Sequence, residues 1–403
     1  MVAQSGGPTV AINASLAGVI DGVMRSDMYD TVYGSLNGIT GILNNDLTNL
    51  SELMQQNSEY LDRLKVTPAM YLGSCRYKLP NYLDDDSSYV FIFKQFETYH
   101  IDAFFYIGGN DSMDTVLKLS EYGKKIGSPV RIVGIPKTID NDLCETDHTP
   151  GFGSAAKYIG TTFAELERDC YVYATKAVTI VEVMGRDAGW LTAASCLARA
   201  NGAKGPDFIY LCEVPFSIDT FLKDVKAKLE EQDAVIIAVS EGVKNKDGRY
   251  ISEEVQSSAV DSFGHSYIAG AAKVLEDAVR NEIGCKVRSI ELNLMQRCAA
   301  HLASATDIQE SRMLGKTACQ YALGGATGMM AAVIRTSDKP YATEFKALPV
   351  CDIANAIKSV PADYINDAGN DVTEKMVDYL TPLIQGEMNT VYENGIPKYL
   401  YLY

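Results

Sequence analysis

Short apolar segments alternate with longer segments of helical periodicity along most of the chain. Five of the apolar segments are rich in β-branched or aromatic residues, and glycine, proline or charged residues bound them. They are Ala103–Ile107, Arg131–Ile135, Ala177–Val183, Phe208–Cys212 and Ala234–Val239. Strands that are apolar on both faces are typical of parallel sheets buried between helices. The pattern therefore predicts an α/β fold with largely parallel sheets, more than one in number.

Apolar residues also recur at helical spacing in two places. One apolar face lies between Ile12 and Val23, and a second lies late in the chain, where we expect Asp371–Gly386 to form an amphipathic helix. The length of 403 residues suits two to three domains. No low-complexity or Pro/Gly-rich linker divides the chain, so we expect the domains to meet through short connections.

Charge and composition exclude several classes of protein. The 36 basic and 52 acidic residues leave a net charge of −16, which disfavours binding to a nucleic-acid backbone or an anionic membrane. No apolar run approaches the length of a membrane helix, and the N-terminus lacks the pattern of a secretory signal. The nine cysteines form no C-x-x-C pair, which opposes a disulfide framework or a zinc site. We therefore expect a cytoplasmic globular protein.

Three glycine-rich turns follow predicted strands and precede predicted helices. They are Ser5–Thr9, Gly108–Ser112 and Gly134–Asp142. Glycine lets backbone N–H groups approach an anion closely, and the following helix presents its positive end there. Each turn alone could serve only to reverse the chain. Because ligands of open parallel sheets lie beyond the carboxyl ends of the strands, the three together predict one shared crevice.

The third turn carries side chains suited to phosphoryl transfer. Asp140 and Asp142 lie two residues apart, close to Lys137. One carboxylate could accept a hydroxyl proton, the other could hold Mg²⁺, and the lysine could offset phosphate charge. No turn matches a P-loop or a dinucleotide fingerprint. These residues indicate a Mg²⁺-dependent phosphotransferase without a Walker motif.

An ordered series of motifs resembles the 6-phosphofructokinase family, specifically its pyrophosphate-dependent branch. The series runs from Ser5 to about Asp307 and comprises SGGPTVAINA, YLGSCR, GGNDS, PKTIDND, GFGSAAKY, VEVMGRDAGWL, VSEG and the segment from Arg288 to Arg297. The resemblance implies reversible, Mg²⁺-dependent transfer of a phosphoryl group from pyrophosphate to the 1-hydroxyl of fructose 6-phosphate, giving fructose 1,6-bisphosphate and phosphate. It also implies two Rossmann-like α/β/α domains with the active site in the cleft between them.

The resemblance assigns roles around the third turn and on the donor side. Asp140 matches the family's general base for the sugar hydroxyl, and Asp142 matches a neighbouring carboxylate that supports charge and Mg²⁺. Thr138 matches a residue that contacts the reacting phosphate. Gly6 and Arg76 match positions on the phosphoryl-donor side.

The resemblance also assigns residues to the sugar phosphate. These include a loop that holds fructose 6-phosphate, an acid that contacts its hydroxyls, and two arginines that clamp its 6-phosphate. In that order they are Met184, Gly185 and Arg186; Glu241; and Arg288 and Arg297. We count Arg186, with Lys137, Thr138 and Asp140, among the catalytic residues. The family arginine at position 288 typically reaches in from a neighbouring subunit, which implies a homodimer or a homotetramer.

Two positions predict the phosphoryl donor. ATP-using relatives carry glycine where this chain has Asp111 and Lys137. The Asp111 carboxylate would crowd and repel an α-phosphate, while Lys137 can neutralise pyrophosphate. Asn110 replaces the family's usual aspartate at a position that commonly faces Mg²⁺, so we expect Asn110 and Asp142 to hold the metal with the diphosphate.

The resemblance predicts how the chain divides into domains. We expect residues 1–150 plus about 296–345 to form the phosphoryl-donor domain, and 151–295 plus about 346–403 to form the sugar-phosphate domain. Two alternatives stay open: an ATP-dependent 6-phosphofructokinase, which Asp111 and Lys137 oppose, and a non-catalytic regulatory subunit of the same fold. A related sugar phosphate such as sedoheptulose 7-phosphate is another possible substrate.

Overall fold

The computed structural model describes residues 1–254 and 270–402 of the chain. Its strands belong to two large sheets and one short hairpin. In chain order they are β1 Val2–Gln4, β2 Tyr33–Ser35, β3 Leu47–Asn49, β4 Ala103–Gly108, β5 Arg131–Pro136, β6 Ala177–Val183, β7 Phe208–Tyr210, β8 Ala234–Ser240, β9 Lys286–Glu291, β10 Met329–Asp338, β11 Tyr341–Pro349, β12 Tyr392–Glu393 and β13 Ile396–Pro397.

The larger sheet has seven strands in the order β11-β10-β5-β4-β1-β2-β3. Its five inner strands are parallel, and the two edge strands, β11 and β3, are antiparallel to their neighbours. The smaller sheet, in the order β7-β8-β6-β9, is parallel throughout. The prediction of an α/β fold with largely parallel sheets is therefore confirmed, and each of the five predicted strands is present.

Helices cover both faces of the two sheets. They are α1 Ile12–Met24, α2 Ile39–Asn44, α3 Leu50–Gln56, α4 Tyr60–Leu64, α5 Ser87–Thr98, α6 Asn110–Ile126, α7 Phe152–Cys170, α8 Trp190–Ala193, α9 Ile218–Glu231, α10 Ala271–Glu282, α11 Ala305–Leu323 and α12 Glu374–Leu380. Among the described residues, no helix is both long enough and apolar enough to cross a membrane.

Each face of each sheet has its own apolar core. On the larger sheet, α1 and α11 pack together on one face through residues such as Leu16 and Leu314, while α5 and α6 cover the other face. On the smaller sheet, α9 and α10 cover one face. The opposite face packs against α7 and α12, with Trp190 and Tyr379 in that core. Burial of these apolar surfaces is the main stabilising contribution to the fold.

The C-terminal part differs from the prediction in one element. The expected helix Asp371–Gly386 is shorter, because α12 ends at Leu380 and a 3₁₀ turn, Thr381–Ile384, follows. Pro382 lies at the start of this turn, and proline cannot donate the backbone hydrogen bond that would continue an α-helix.

The proposed domain limits stay a prediction. Strand β11 belongs to the larger sheet as far as Pro349. Leu400 and Leu402, at the end of the described chain, pack against the core on the α1 side of that sheet. The C-terminal residues therefore contact both cores, since α12 packs on the smaller sheet.

Candidate active site

A cavity of about 680 Å³ lies between residues of the two sheets. The adjacent strands β1, β4 and β5 end beside it, so all three glycine-rich turns contribute to its wall, as the strand pattern predicted. The opposite wall comes from the ends of β6 and β8 and from residues after β9. All of the predicted site residues except Gly185 and Arg288 line this cavity.

The part of the cavity that the resemblance assigns to the phosphoryl donor, here called the donor half, is built around a buried lysine. Lys137 is 1% exposed, and its Nζ donates to the Gly7 carbonyl at 2.6 Å. Gly6 has φ of +81°, and a Cβ there would lie 3.0 Å from Lys137 Nζ, so a side chain at position 6 would be strained and would press on the lysine. Burial lowers the pKa of Lys137 to about 7, although the negative charges of Asp140 and Asp142 oppose the shift.

The first turn of α6 places two predicted residues at the cavity. Asp111 is exposed and lines the cavity. The Asn110 side chain is tethered, because its Oδ1 accepts from the Asn355 N–H at 2.6 Å and its Nδ2 donates to the Ala356 carbonyl at 2.7 Å. Asn110 therefore connects the donor half to a segment about 245 residues further along the chain.

Two half-buried carboxylates lie between the donor half and the residues that the resemblance assigns to the sugar phosphate, here called the sugar half. Asp140 and Asp142 both line the cavity. Burial raises the pKa of Asp140, although the positive charges of Arg297, Lys137 and Arg186 oppose the shift. Burial and the charge of Asp140 raise the pKa of Asp142 to about 7. This mutual repulsion would be relieved by a cation or by a proton from a substrate.

Thr138 supports the carboxylate turn from its first residue. Its Oγ1 accepts from the Asp140 N–H at 3.1 Å and lies 3.5 Å from Asp140 Oδ2. The Thr138 carbonyl accepts from the Thr149 hydroxyl at 2.7 Å. These bonds fix the backbone of the turn that follows β5, and they thereby help to fix the position of the Asp140 carboxylate.

The sugar half is built by the turns after β6 and β8. The Gly185 N–H donates to Glu241 Oε1 at 3.1 Å, and the Ser240 hydroxyl donates to the Gly185 carbonyl at 2.6 Å. Gly185 thus lies behind the cavity wall and positions Glu241, while Met184 and Arg186 face the cavity. Burial raises the pKa of Glu241 to about 8, although the bond from Gly185 opposes the shift.

The predicted phosphate-binding arginines lie in different places. Arg76 and Arg297 line the cavity, and the Arg297 guanidinium lies 3.7 Å from where a Cβ on Gly7 would be, next to the donor turn. Arg186 Nε donates to Asp187 at 2.8 Å. Arg288 lies on β9, is exposed, and does not line this cavity.

Several residues that sequence reasoning did not assign also line the cavity. Glu182 and Asp187 flank the Met184–Arg186 loop, so their neighbourhood in the VEVMGRD motif could have indicated them. Asn355 and Ile357 carry no such signal, because the fold alone brings them there. Besides the apolar Ile357, the unassigned residues with charged or polar side chains are Ser5, Lys78, Ser112, Glu182, Asp187, Glu291, Asn293 and Asn355.

Metal ligands in this site would be few. Among the described residues, no three His, Cys, Asp or Glu side chains form a group that could hold a metal ion. Of the acids that line the cavity, Asp142 is the one that the resemblance assigns to Mg²⁺, and the Asn110 oxygen already accepts the bond from Asn355. Mg²⁺ commonly binds through one or two carboxylates together with waters and substrate phosphates, and this donor set fits that mode.

Comparison with known proteins establishes the family. The family described as phosphofructokinase matches residues 1–322. This chain belongs to the phosphofructokinase family. A relative from Halomonas elongata, named pyrophosphate–fructose 6-phosphate 1-phosphotransferase, is 40% identical over 399 residues, which cover 98% of this chain and 94% of the relative. A relative of the same name from Methylococcus capsulatus is 39% identical, and the match covers 99% of this chain and 94% of the relative.

A solved structure gives the same result for the fold. The crystal structure of pyrophosphate-dependent phosphofructokinase from Nitrosospira multiformis matches with a TM-score of 0.88 at 35% identity, covering 99% of this chain and 95% of that one. The two-domain α/β prediction is therefore confirmed. The similarity extends beyond residue 322, so the C-terminal segment that carries Asn355 and α12 has a counterpart in such relatives.

Proposed function

We propose that this phosphofructokinase transfers a phosphoryl group reversibly from pyrophosphate to the 1-hydroxyl of fructose 6-phosphate. The observation that carries the proposal is the position of Asp140, at the junction of two differently built halves of one cavity. One half has the glycine-rich turns and the buried Lys137 expected for an inorganic phosphate chain. The other half has the Met184–Arg186 loop and Glu241, which suit a sugar phosphate. The full-length relatives named for this reaction support the same assignment.

The residues around Asp140 account for the chemical step. The Asp140 carboxylate accepts the proton of the sugar 1-hydroxyl, and that oxygen bonds to the terminal phosphorus of pyrophosphate. The bond from this phosphorus to the bridging oxygen breaks, and phosphate leaves. Positive charges from Lys137, Arg297 and Arg186 surround Asp140 and favour the negative charge that the transferring group carries. In the reverse direction, protonated Asp140 returns the proton to the sugar oxygen.

The donor is selected by the residues of the first half. The Asp111 carboxylate at the cavity wall would repel the α-phosphate of a nucleotide, whereas pyrophosphate ends before that point. Lys137, whose Nζ lies at the Gly7 carbonyl, neutralises the terminal oxygens of pyrophosphate. These two residues favour pyrophosphate over ATP.

We include Mg²⁺ in the proposal because the donor set fits it. Asp142 would hold the ion together with pyrophosphate oxygens and water, and the Asn110 side-chain oxygen would serve as an additional ligand. Mg²⁺ would supply positive charge that offsets the diphosphate. The raised pKa of Asp142, about 7, marks the place where a cation would stabilise the ionised carboxylate.

We also propose that the working enzyme is a homodimer or homotetramer in the cytoplasm. Arg288 is exposed on β9, the edge strand of the smaller sheet among the described residues, which is where a residue that acts in a neighbouring subunit should lie. All nine cysteines are free thiols, as in proteins of reducing compartments.

One coupled assay tests the function. Fructose 6-phosphate and Mg²⁺ are supplied with either pyrophosphate or ATP, and formation of fructose 1,6-bisphosphate is followed. We expect turnover with pyrophosphate and little with ATP. Activity with ATP alone would identify an ATP-dependent enzyme, and inactivity with both donors would indicate a regulatory subunit. Replacing fructose 6-phosphate with sedoheptulose 7-phosphate tests the breadth of the sugar half.

A further inference from the structure

A buried amide lies between the two carboxylates of the candidate site. Asn141 is fully buried and has φ of +56°, and the residues on either side of it, Asp140 and Asp142, both line the cavity. Its Oδ1 accepts from the Thr149 N–H at 3.1 Å, and its Nδ2 donates to the hydroxyl of Tyr379 at 2.8 Å. A left-handed backbone conformation at a non-glycine residue needs support from its surroundings, and these two bonds provide it.

The partner of Asn141 comes from the C-terminal part of the chain. Tyr379 lies on α12, 238 residues after Asn141 and beyond the residues that match the family. It is 7% exposed, and its hydroxyl also donates to the Asp147 carbonyl at 2.7 Å. Its ring packs at 5.1 Å from Trp190, between centroids, and lies 4.6 Å from the Arg335 guanidinium. The hydroxyl is thus held in place by a rigid ring.

The same C-terminal part is attached to the carboxylate turn at a second point. The Lys358 N–H donates to the Asp142 carbonyl at 2.8 Å. Its Nζ donates to the carbonyls of Thr146 and Asp147 on the same connection. Asn141 and Asp142 are therefore both fixed from outside their own segment, by groups that do not line the cavity themselves.

We propose that Tyr379 is a positioning residue that holds the Asp140 and Asp142 carboxylates in their reactive places through its bond to Asn141. It touches no substrate, because it does not line the cavity. The proposal rests on the proposed function, since it concerns how Asp140 reaches the sugar hydroxyl. Without the bond, Asn141 would lose one of the two partners that hold its left-handed conformation, and the adjacent carboxylates would move.

The test compares two tyrosine variants. Tyr379→Phe removes the bond to Asn141, together with the hydroxyl bond to Asp147, but keeps the ring. We expect kcat to fall about tenfold, because small displacements of a catalytic group are costly. KM for both substrates should change less than about threefold. Tyr364→Phe is the matched control, since Tyr364 also packs against Trp190 but makes no hydroxyl hydrogen bond among the described residues. Its kcat should stay within about twofold of the wild type.

Two further measurements separate positioning from a purely structural role. In Tyr379→Phe the loss should appear in the single-turnover rate of phosphoryl transfer as well as in kcat, because displaced carboxylates slow the chemical step itself. Asn141→Gly permits the positive φ and breaks the same bond from the other side, together with the bond from the Thr149 N–H, so it should lose at least as much kcat. Adding Tyr379→Phe to it should then cost less than about twofold.

The outcomes distinguish this proposal from the proposed function. An inactive wild type would contradict the function, and the positioning role with it. An active wild type with an unchanged kcat in Tyr379→Phe would overturn the positioning role alone. A double variant in which the two losses multiply would also overturn it. The same holds if Tyr379→Phe loses activity only in proportion to the unfolded protein that thermal denaturation detects. If Tyr379→Phe does not fold, Asn141→Gly supplies the same comparison.

Discussion

At the scale of single residues, burial and charge together define the chemistry of the site. Lys137 is almost fully buried, which lowers its pKa to about 7, while burial raises the pKa of Asp140 and Asp142. Each charged form is less stable here than in water, so each group gains from a ligand of opposite charge. A phosphate chain beside Lys137 and a cation or a transferable proton beside the carboxylates meet this requirement. These are the properties that the proposed reaction, with a Mg²⁺–pyrophosphate complex and a sugar hydroxyl, requires of the site.

The general base gives the first prediction. Asp140→Ser should lower kcat by about 10²–10⁴, the usual contribution of a positioned base. Steady-state kinetics with pyrophosphate and fructose 6-phosphate measure the change, and thermal unfolding confirms that the variant is folded. A kcat equal to that of the wild type would remove Asp140 from the role of base.

Donor choice gives the second prediction. The double variant Asp111→Gly and Lys137→Gly should raise activity with ATP relative to pyrophosphate by at least about tenfold, because contacts between like charges cost several kcal/mol. The ratio of kcat/KM for the two donors is the measurement. Asp111→Asn keeps the bulk and removes the charge, so it shows how much of the change is electrostatic. If the ratio does not move in the double variant, selectivity lies elsewhere in the cavity.

At the scale of elements, a buried ionic cluster joins the connection after β5 to α11 and to the β10–β11 edge of the larger sheet. His148 lies 2.8 Å from the Asp147 carboxylate and 2.7 Å from the Glu310 carboxylate on α11. Arg335 on β10 donates to Asp147 at 3.0 Å, and Tyr341 on β11 donates to Glu310 at 2.9 Å. The cluster connects α11 and the β10–β11 hairpin to the segment that carries Asp140, so its charge state affects the stability of the region around the site.

This cluster predicts a pH dependence of stability. Burial alone would lower the pKa of His148, but hydrogen bonds to Asp147 and Glu310 outweigh it and raise the pKa from 6.5 to about 9. The folded state therefore binds the proton more tightly than the unfolded state. The resulting stability is fully present below about pH 6.5 and is lost as the pH rises through about 9.

Thermal unfolding between pH 6.5 and 9 measures this effect. His148→Gln should lower Tm at pH 6.5 and show a smaller further loss toward pH 9 than the wild type. His301→Gln is the matched control, because His301 is exposed, and it should follow the wild-type curve. Parallel curves for His148→Gln and the wild type would contradict the assignment of this pH dependence to His148.

At the scale of the whole molecule, a net charge of −16 would repel the anionic substrates that we propose. Basic side chains concentrated at the cavity offset this repulsion locally. Arg76, Lys137, Arg186 and Arg297 all line the one cavity, although the chain as a whole is acidic. The remaining predicted cation, Arg288, is exposed outside it. This exposed position agrees with our proposal that Arg288 acts in the sugar-phosphate site of a neighbouring subunit.

Subunit complementation tests this requirement. Asp140→Asn and Arg288→Ala should each be nearly inactive as pure proteins, since each removes one part of every site. Co-expressed in equal amounts, they should recover about a quarter of the wild-type activity, because half of the dimers are mixed and each has one intact site. Pairing Asp140→Asn with the double variant Asp140→Asn/Arg288→Ala is the control and should recover nothing. No recovery in the first pair would place Arg288 outside a shared site.

Several features of the fold and of the candidate site could be predicted from local sequence patterns. Apolar strand segments predicted the parallel sheets, since burial on both faces requires continuous apolar residues, and the glycine-rich turns after Ala3, Ile107 and Ile135 predicted the shared crevice. Asp111 and Lys137 predicted pyrophosphate as the donor, because they place charged side chains where ATP-using relatives carry glycine. These features depend on residues that are neighbours in the sequence, or on a strand order that α/β sheets commonly adopt.

Tertiary structure decided the features that depend on distant contacts. The binding of Asn110 to the backbone of Asn355, and of Asn141 to Tyr379, joins segments more than 200 residues apart. The sequence around each of these residues does not indicate its partner, because the hydrogen bond exists only when distant segments pack together. The burial of Lys137 likewise arises only when the turns after β1 and β5 meet. The sequence by itself therefore determined the chemistry available to the protein, and the packing of its C-terminal part against the carboxylate turn decided how that chemistry is held in place.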